Sequence, residues 1–170
     1  LAALKAALEG GAKAIFGCWY YASLSAGWSP AIFREVFVPL MRQYADLIHS
    51  YCGIYHVYDD GKMMRTLGDY VAGGADVVET LTPPPVGDVD LAEAKRLYGD
   101  KVCLKGHVDL LYVIKMGTVE DVVRAVRYAL EVAAPGGGFI LGTSDSIRDG
   151  TPLENVRAYF DTAHEYGKYT

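Results

Sequence analysis

Cysteine is scarce in this chain: Cys18, Cys52 and Cys103 are the 3 in 170 residues, and none sits in a CxxC pair. An odd, unpaired count argues against a disulfide framework and fits a reduced, cytoplasmic setting, with the thiols read as small buried hydrophobes. No apolar run approaches the roughly 18–20 residues a membrane span needs, and no signal-peptide pattern is visible. The 16 Lys and Arg against 21 Asp and Glu leave a net charge of −5 with no basic stripe. That balance argues against nucleic acid as a partner. A glycine-rich phosphate loop after an early strand is also missing. Gly136-Gly137-Gly138 precedes a strand instead of opening a helix, so it reads as a turn.

What the chain does have is a run of apolar segments that end in ionisable residues. They are Ile54 to Asp60, Ala75 to Glu79, Val102 to Asp109 and Phe139 to Asp145, and each is followed by a helical pattern. An earlier segment, Lys13 to Tyr21, ends in the aromatics Trp19, Tyr20 and Tyr21. Continuous apolar runs are the mark of buried parallel strands, and function in such folds gathers at the strand C-termini.

Helix signals fill the gaps. Leu1 to Glu9 has helical spacing and stops at Gly10-Gly11; a helix that begins uncapped at residue 1 suggests a chain cut from something longer. Ser29-Pro30 opens a helix to about Ser50, bent at Pro39. Lys62 to Ala72 reads as a helix, Asp90 caps another, and Thr118-Val119-Glu120-Asp121 opens a third. Thr82-Pro83-Pro84-Pro85 requires a stiff loop. The last helix starts at Thr151-Pro152. Strand starts near residues 54, 76, 102 and 139 leave room for one crossover helix per step. The fold class is α/β. Five βα units are too few for an eight-stranded barrel, so the alternatives are an open doubly wound sheet or the C-terminal portion of a barrel, and the missing phosphate loop favours the barrel. No composition shift marks a second domain, so residues 1–170 read as one.

Several stretches carry a more specific signal. They are Ser29-Pro30-x-x-Phe33-Arg34-Glu35, Gly74-Ala75-Asp76, Gly87-Asp88-Val89-Asp90-Leu91 with Lys95, Gly106-His107-Val108-Asp109, Ala134 to Leu141, and Thr151 to Val156. Together, over about Lys5 to Tyr169, they resemble the uroporphyrinogen decarboxylase-like superfamily, which includes decarboxylases and corrinoid or thiol methyltransferases. The resemblance implies a (β/α)8 TIM barrel of which this chain covers about the last five βα units. It implies that the tetrapyrrole-holding arginine pair and aspartate of true decarboxylases lie outside this chain, and that their histidine after the last strand corresponds to Ser144. The methyltransferase branch binds zinc through a His-x-Cys pair and a distant Cys. Here the matching positions read His56-Val57-Tyr58 and Ser144-Asp145-Ser146, so a thiolate zinc site is broken.

The candidate site follows from these positions. His56 among Tyr58, Asp59 and Asp60 suits a metal ligand, a general base or a histidine bonded to a backbone carbonyl. His107 has the same alternatives. His49 and His164 fall within helices and read as surface or packing residues. Adjacent side chains in extended structure point apart, so at most one of Asp59 and Asp60 faces a pocket. Glu79 ends an apolar strand and needs a partner, either Lys105 or a metal. Asp145 reads as a cap or as a ligand. Trp19, Tyr20, Tyr21, Tyr58, Asp109 and Ser144 complete the set as candidate substrate contacts.

Three expectations result. The first is an enzyme that transfers a methyl group from a small molecule to a corrinoid protein, with zinc or another divalent metal on His56, Asp145 and either Glu79 or Asp60. The second is metal-free decarboxylation of a tetrapyrrole-like acid, with Lys105 and His107 holding carboxylates and donating protons. The third is a non-catalytic fragment that binds or assembles, as a homo-oligomer or by pairing with an N-terminal half.

Overall fold

A computed structural model describes residues 1–168; Tyr169, where the resemblance ends, and Thr170 lie outside the described residues. Five strands form one sheet in the order of the chain: β1 (Ala14–Cys18), β2 (Ile54–Tyr58), β3 (Val77–Thr80), β4 (Cys103–Val108) and β5 (Phe139–Thr143). Every neighbouring pair is parallel. Doubly wound sheets reverse their strand order at a switch point; this one never does. The helices α3 (Val38–Ser50), α4 (Leu67–Ala72), α5 (Leu91–Tyr98), α6 (Val119–Ala133) and α7 (Leu153–Tyr166) touch one another in that sequence and so form one layer. α1 (Ala2–Glu9) precedes β1. Sequential strands under a single helical layer are the wall of a barrel.

Alternation along the strands separates the two sheet faces. Tyr55, Val57, Val78, Leu104 and Phe139 are buried toward the helices, where Phe33, Met41, Ile48 and Val126 meet them in the core. Each such side chain contributes about 2 kcal/mol through burial. The opposite face carries Phe16, Ile54, His56, Tyr58, Glu79, Lys105 and Ile140, and Phe16 is 57% exposed there. In a barrel this second face lines the interior.

Local chemistry explains most boundaries. Asp90 accepts the Glu93 N–H at 3.0 Å to start α5, and Thr118 and Asp121 form a reciprocal capping box at the start of α6. The Ser29 hydroxyl accepts the Ile32 N–H at 3.2 Å to open the one-turn α2 (Pro30–Ile32). Between α2 and α3 lies a π-helical turn, Phe33–Phe37. Pro39 has no N–H to bond the preceding turn, and the expected bend takes this wider form.

One expectation needs correction. The helix expected from Lys62 begins only at Leu67, after a 3-10 turn at Met64–Thr66. Asp88, from the proline-rich loop, accepts the backbone N–H groups of both Met63 and Met64, at 2.8 and 2.9 Å. That long-range bond holds the segment open. The fourth strand continues through Gly106 to Val108, because Gly106 lets the chain pass close to β3. Gly106 has φ +127, and a Cβ there would lie 1.9 Å from the Thr80 carbonyl oxygen.

Candidate active site

The barrel-facing side of the sheet brings three predicted residues into contact. Strand register sets Tyr58 beside Glu79 and Glu79 beside Lys105. The Lys105 ammonium donates to Glu79 Oε1 at 2.6 Å. Glu79 Oε2 lies 2.6 Å from His56 Nε2, although neither atom makes a well-aligned hydrogen bond. Lysine is therefore the partner that a carboxylate on an apolar strand required. Burial pushes the His56 imidazole below its usual value; Glu79 pulls it back up and Lys105 pushes it further down. Phe16 packs edge-on against it, with centroids 5.3 Å apart.

A cavity of about 210 Å³ opens past the strand ends, lined by Asp60, Asp109, Leu110, Lys115, Ser144, Asp145 and Arg148, among others. Tyr58 links it to the charged row by donating its hydroxyl to Asp60 Oδ2 at 3.1 Å. Burial raises the Asp60 carboxyl; the Tyr58 hydroxyl counters this, while Asp145 adds to it. Arg148, three residues beyond Asp145 in the loop after β5, pairs with that carboxylate. Ser144 accepts the Leu110 N–H at 3.1 Å, and Asp109 Oδ1 accepts the Tyr112 N–H at 2.5 Å. These two bonds fix the start of a π-helical turn, Leu110–Lys115, which sets Leu110, Leu111 and Lys115 in the wall. Such turns recur at functional sites.

Other candidates lie elsewhere. Asp59 parts from Asp60: it is fully buried, and its Oδ2 accepts the Tyr70 hydroxyl at 2.5 Å on the helix side of the sheet. His107 has φ 89, so its ring turns away from the His56 row. Its Nδ1 lies 3.0 Å from the Leu81 carbonyl and its ring 5.9 Å from that of Tyr128 on α6. It lines a separate surface recess with Pro83, Asp90 and Tyr128. Trp19 donates to the Tyr55 hydroxyl at 2.6 Å and packs edge-to-face with Tyr44, while Tyr20 and Tyr21 pack on each other. None of these three aromatics lines the cavity.

The metal expectation meets a geometric obstacle. Among the described residues no three His, Cys, Asp or Glu side chains converge closely enough to hold an ion. His56 and Glu79 meet, but Asp145 is engaged by Arg148, and the Lys105 ammonium already occupies Glu79 Oε1. The residues present do not fit a His56–Glu79–Asp145 metal centre. Sequence reasoning had not singled out Arg148 and Lys115 as cavity residues. Both lie in or next to irregular segments, where no periodic pattern marks which side chains face a cavity.

An α/β sheet wound in one direction, with its charged residues at the strand C-termini, defines a partial TIM barrel. The model of the family named Uroporphyrinogen decarboxylase (URO-D) matches residues 1–166, and the chain belongs to that family. It is 27% identical to a uroporphyrinogen decarboxylase of Aromatoleum aromaticum over 174 residues, covering 99% of this chain and 45% of that protein. It is 26% identical to the methylcobamide:CoM methyltransferase MtaA of Methanosarcina barkeri, covering 81% of this chain and 38% of the other. A solved methyltransferase from Methanosarcina mazei superposes with a TM-score of 0.78 at 23% identity, over 97% of this chain and 45% of that one, and so shares its fold. The chain thus spans less than half the length of these relatives. No helix among the described residues is long and apolar enough to cross a membrane.

Proposed function

We propose that this chain forms one wall of the active site of a URO-D-family enzyme that removes a carboxyl group from an organic acid by proton transfer, without a metal. The observation that carries the reading is the row Lys105–Glu79–His56 on the barrel face. Decarboxylation breaks the bond between carbon and the carboxylate, releases carbon dioxide and leaves an electron pair on carbon. That carbon then needs one proton. Lys105 can donate it, with Glu79 Oε1 already on its ammonium. Glu79 holds the lysine in place, and His56 can return a proton from solvent along the row. Tyr58 and Asp60 bring the row to the cavity that would seat the rest of the substrate.

The test is carbon dioxide release by the protein carrying this chain together with the remaining barrel, assayed on uroporphyrinogen and on smaller carboxylic acids. Lys105→Met should abolish turnover, and a chelator should leave it intact. Activity lost to chelation and restored by zinc would overturn the reading.

A second reading is methyl transfer to a corrinoid protein, favoured by the similarity to MtaA. It requires Asp145 to leave Arg148 and join His56 and Glu79 around a metal. Methylation of a corrinoid protein in place of carbon dioxide release would decide for it.

A further inference from the structure

The cavity past the strand ends has a feature that acid–base work on the sheet does not use. Asp109 is 4% exposed and lines the cavity, yet its Oδ2 has no hydrogen-bond partner. Its other oxygen is committed to the Tyr112 N–H. A buried carboxylate oxygen left unpaired costs stability unless something supplies a donor. Asp60 and Asp145 share the cavity. Two cations face these three carboxylates, and both are engaged: Arg148 pairs with Asp145, and Lys115 donates to the Asp149 carbonyl at 3.3 Å. The lining is thus one positive charge short, and it holds an acceptor with nothing to accept from. Leu110, Leu111 and Val86 supply apolar wall beside it. At about 210 Å³ the cavity is smaller than the roughly 300–1,000 Å³ of drug-sized ligand pockets, so it suits one small group.

We propose that this cavity binds a small organic cation, a primary or secondary ammonium group, with Asp109 Oδ2 and Asp60 as its acceptors. The inference rests on the reading that the cavity adjoins the substrate site. It makes the substrate an acid that also carries an amine. The ammonium would anchor in the cavity, and the carboxyl group would be left toward the Lys105 row.

The probe is propylammonium, compared with 1-propanol as its neutral counterpart at constant ionic strength and pH 7. Binding is read from the backbone amide resonances of Leu110 and Tyr112. Propylammonium should shift them and propanol should not. Asp109→Asn is the informative variant, because an asparagine oxygen still accepts the Tyr112 N–H while the free acceptor becomes a donor. It should weaken propylammonium binding about tenfold or more. Asp60→Asn should weaken it too, and this variant leaves the Asp109 cap untouched. Equal binding of propanol, or an affinity unchanged in both variants, overturns the proposal. So does binding of zinc or magnesium alone with the same dependence on Asp109. The Glu79→Gln variant separates the two claims: it should lose carbon dioxide release and keep propylammonium binding. Turnover without ammonium binding would sink only this inference, and ammonium binding without turnover only the decarboxylase reading.

Discussion

Replacing Asp59 with asparagine should make the protein more stable in alkali and remove much of its pH dependence. Asp59 is fully buried, and burial lifts its carboxyl from 3.8 to about 7, against the lowering effect of the Tyr70 hydroxyl. The folded protein therefore holds this proton over a range in which the unfolded chain has released it. Where the folded state binds more protons, stability falls as pH rises. The stabilisation is fully present below about pH 4 and is lost progressively as pH approaches 7. A carboxyl moved from 3.8 to about 7 corresponds to about 4 kcal/mol across that window. Asparagine copies the neutral acid: its oxygen can accept the Tyr70 hydroxyl, and its NH₂ replaces the O–H. Urea unfolding at pH 5 and pH 8 is the assay. Between these values the wild type should lose about 3 kcal/mol that Asp59→Asn keeps. Equal pH dependence in the two proteins, or a wild type that gains stability from pH 5 to pH 8 relative to the variant, would refute the assignment of a proton to this site.

Lys105→Met should raise the His56 pKa, since the ammonium is one of the charges that lower it; a downward or absent shift of the imidazole resonances in an NMR titration would contradict the row. Gly106→Ala should destabilise by more than about 3 kcal/mol, because the new methyl lands on the Thr80 carbonyl, and a melting temperature within a few degrees of wild type would show that β3 and β4 can part. Thr118→Ala removes an N-cap and should cost about 1 kcal/mol in chemical unfolding. Asn155→Ala should cost about 2 kcal/mol and loosen the cavity wall, read as faster amide exchange over residues 110–117. The Asn155 amide donates to the carbonyls of Ile114 and Gly117, at 2.9 and 2.8 Å.

The strands and most helices were legible because their signals are local. Apolar runs mark β2 to β5, and Asp90 and Thr118 announce their helices within four residues. Glu79 was legible as a carboxylate in need of a partner, and Lys105 as one of two candidates. What could not be read locally depends on distant geometry. Asp88 reaches back across 25 positions to cap Met63, which no window over the Lys62 segment contains. The direction of His107 hangs on its own backbone angle just after Gly106, so a histidine two residues past Lys105 leaves the face that Lys105 occupies. The meeting of His56 with Glu79 follows from a register that only the assembled sheet sets.

The unbroken strand order has a consequence for how the molecule is made. Each strand from β2 onward pairs with the one translated just before it, so among the described residues every strand-to-strand pairing is between neighbours in the chain. The sheet can grow from a ribosome one βα unit at a time, each addition covering the edge exposed by the last. The His56–Glu79–Lys105 row comes together in the same order, and it is complete once β4 has docked, before β5 is needed.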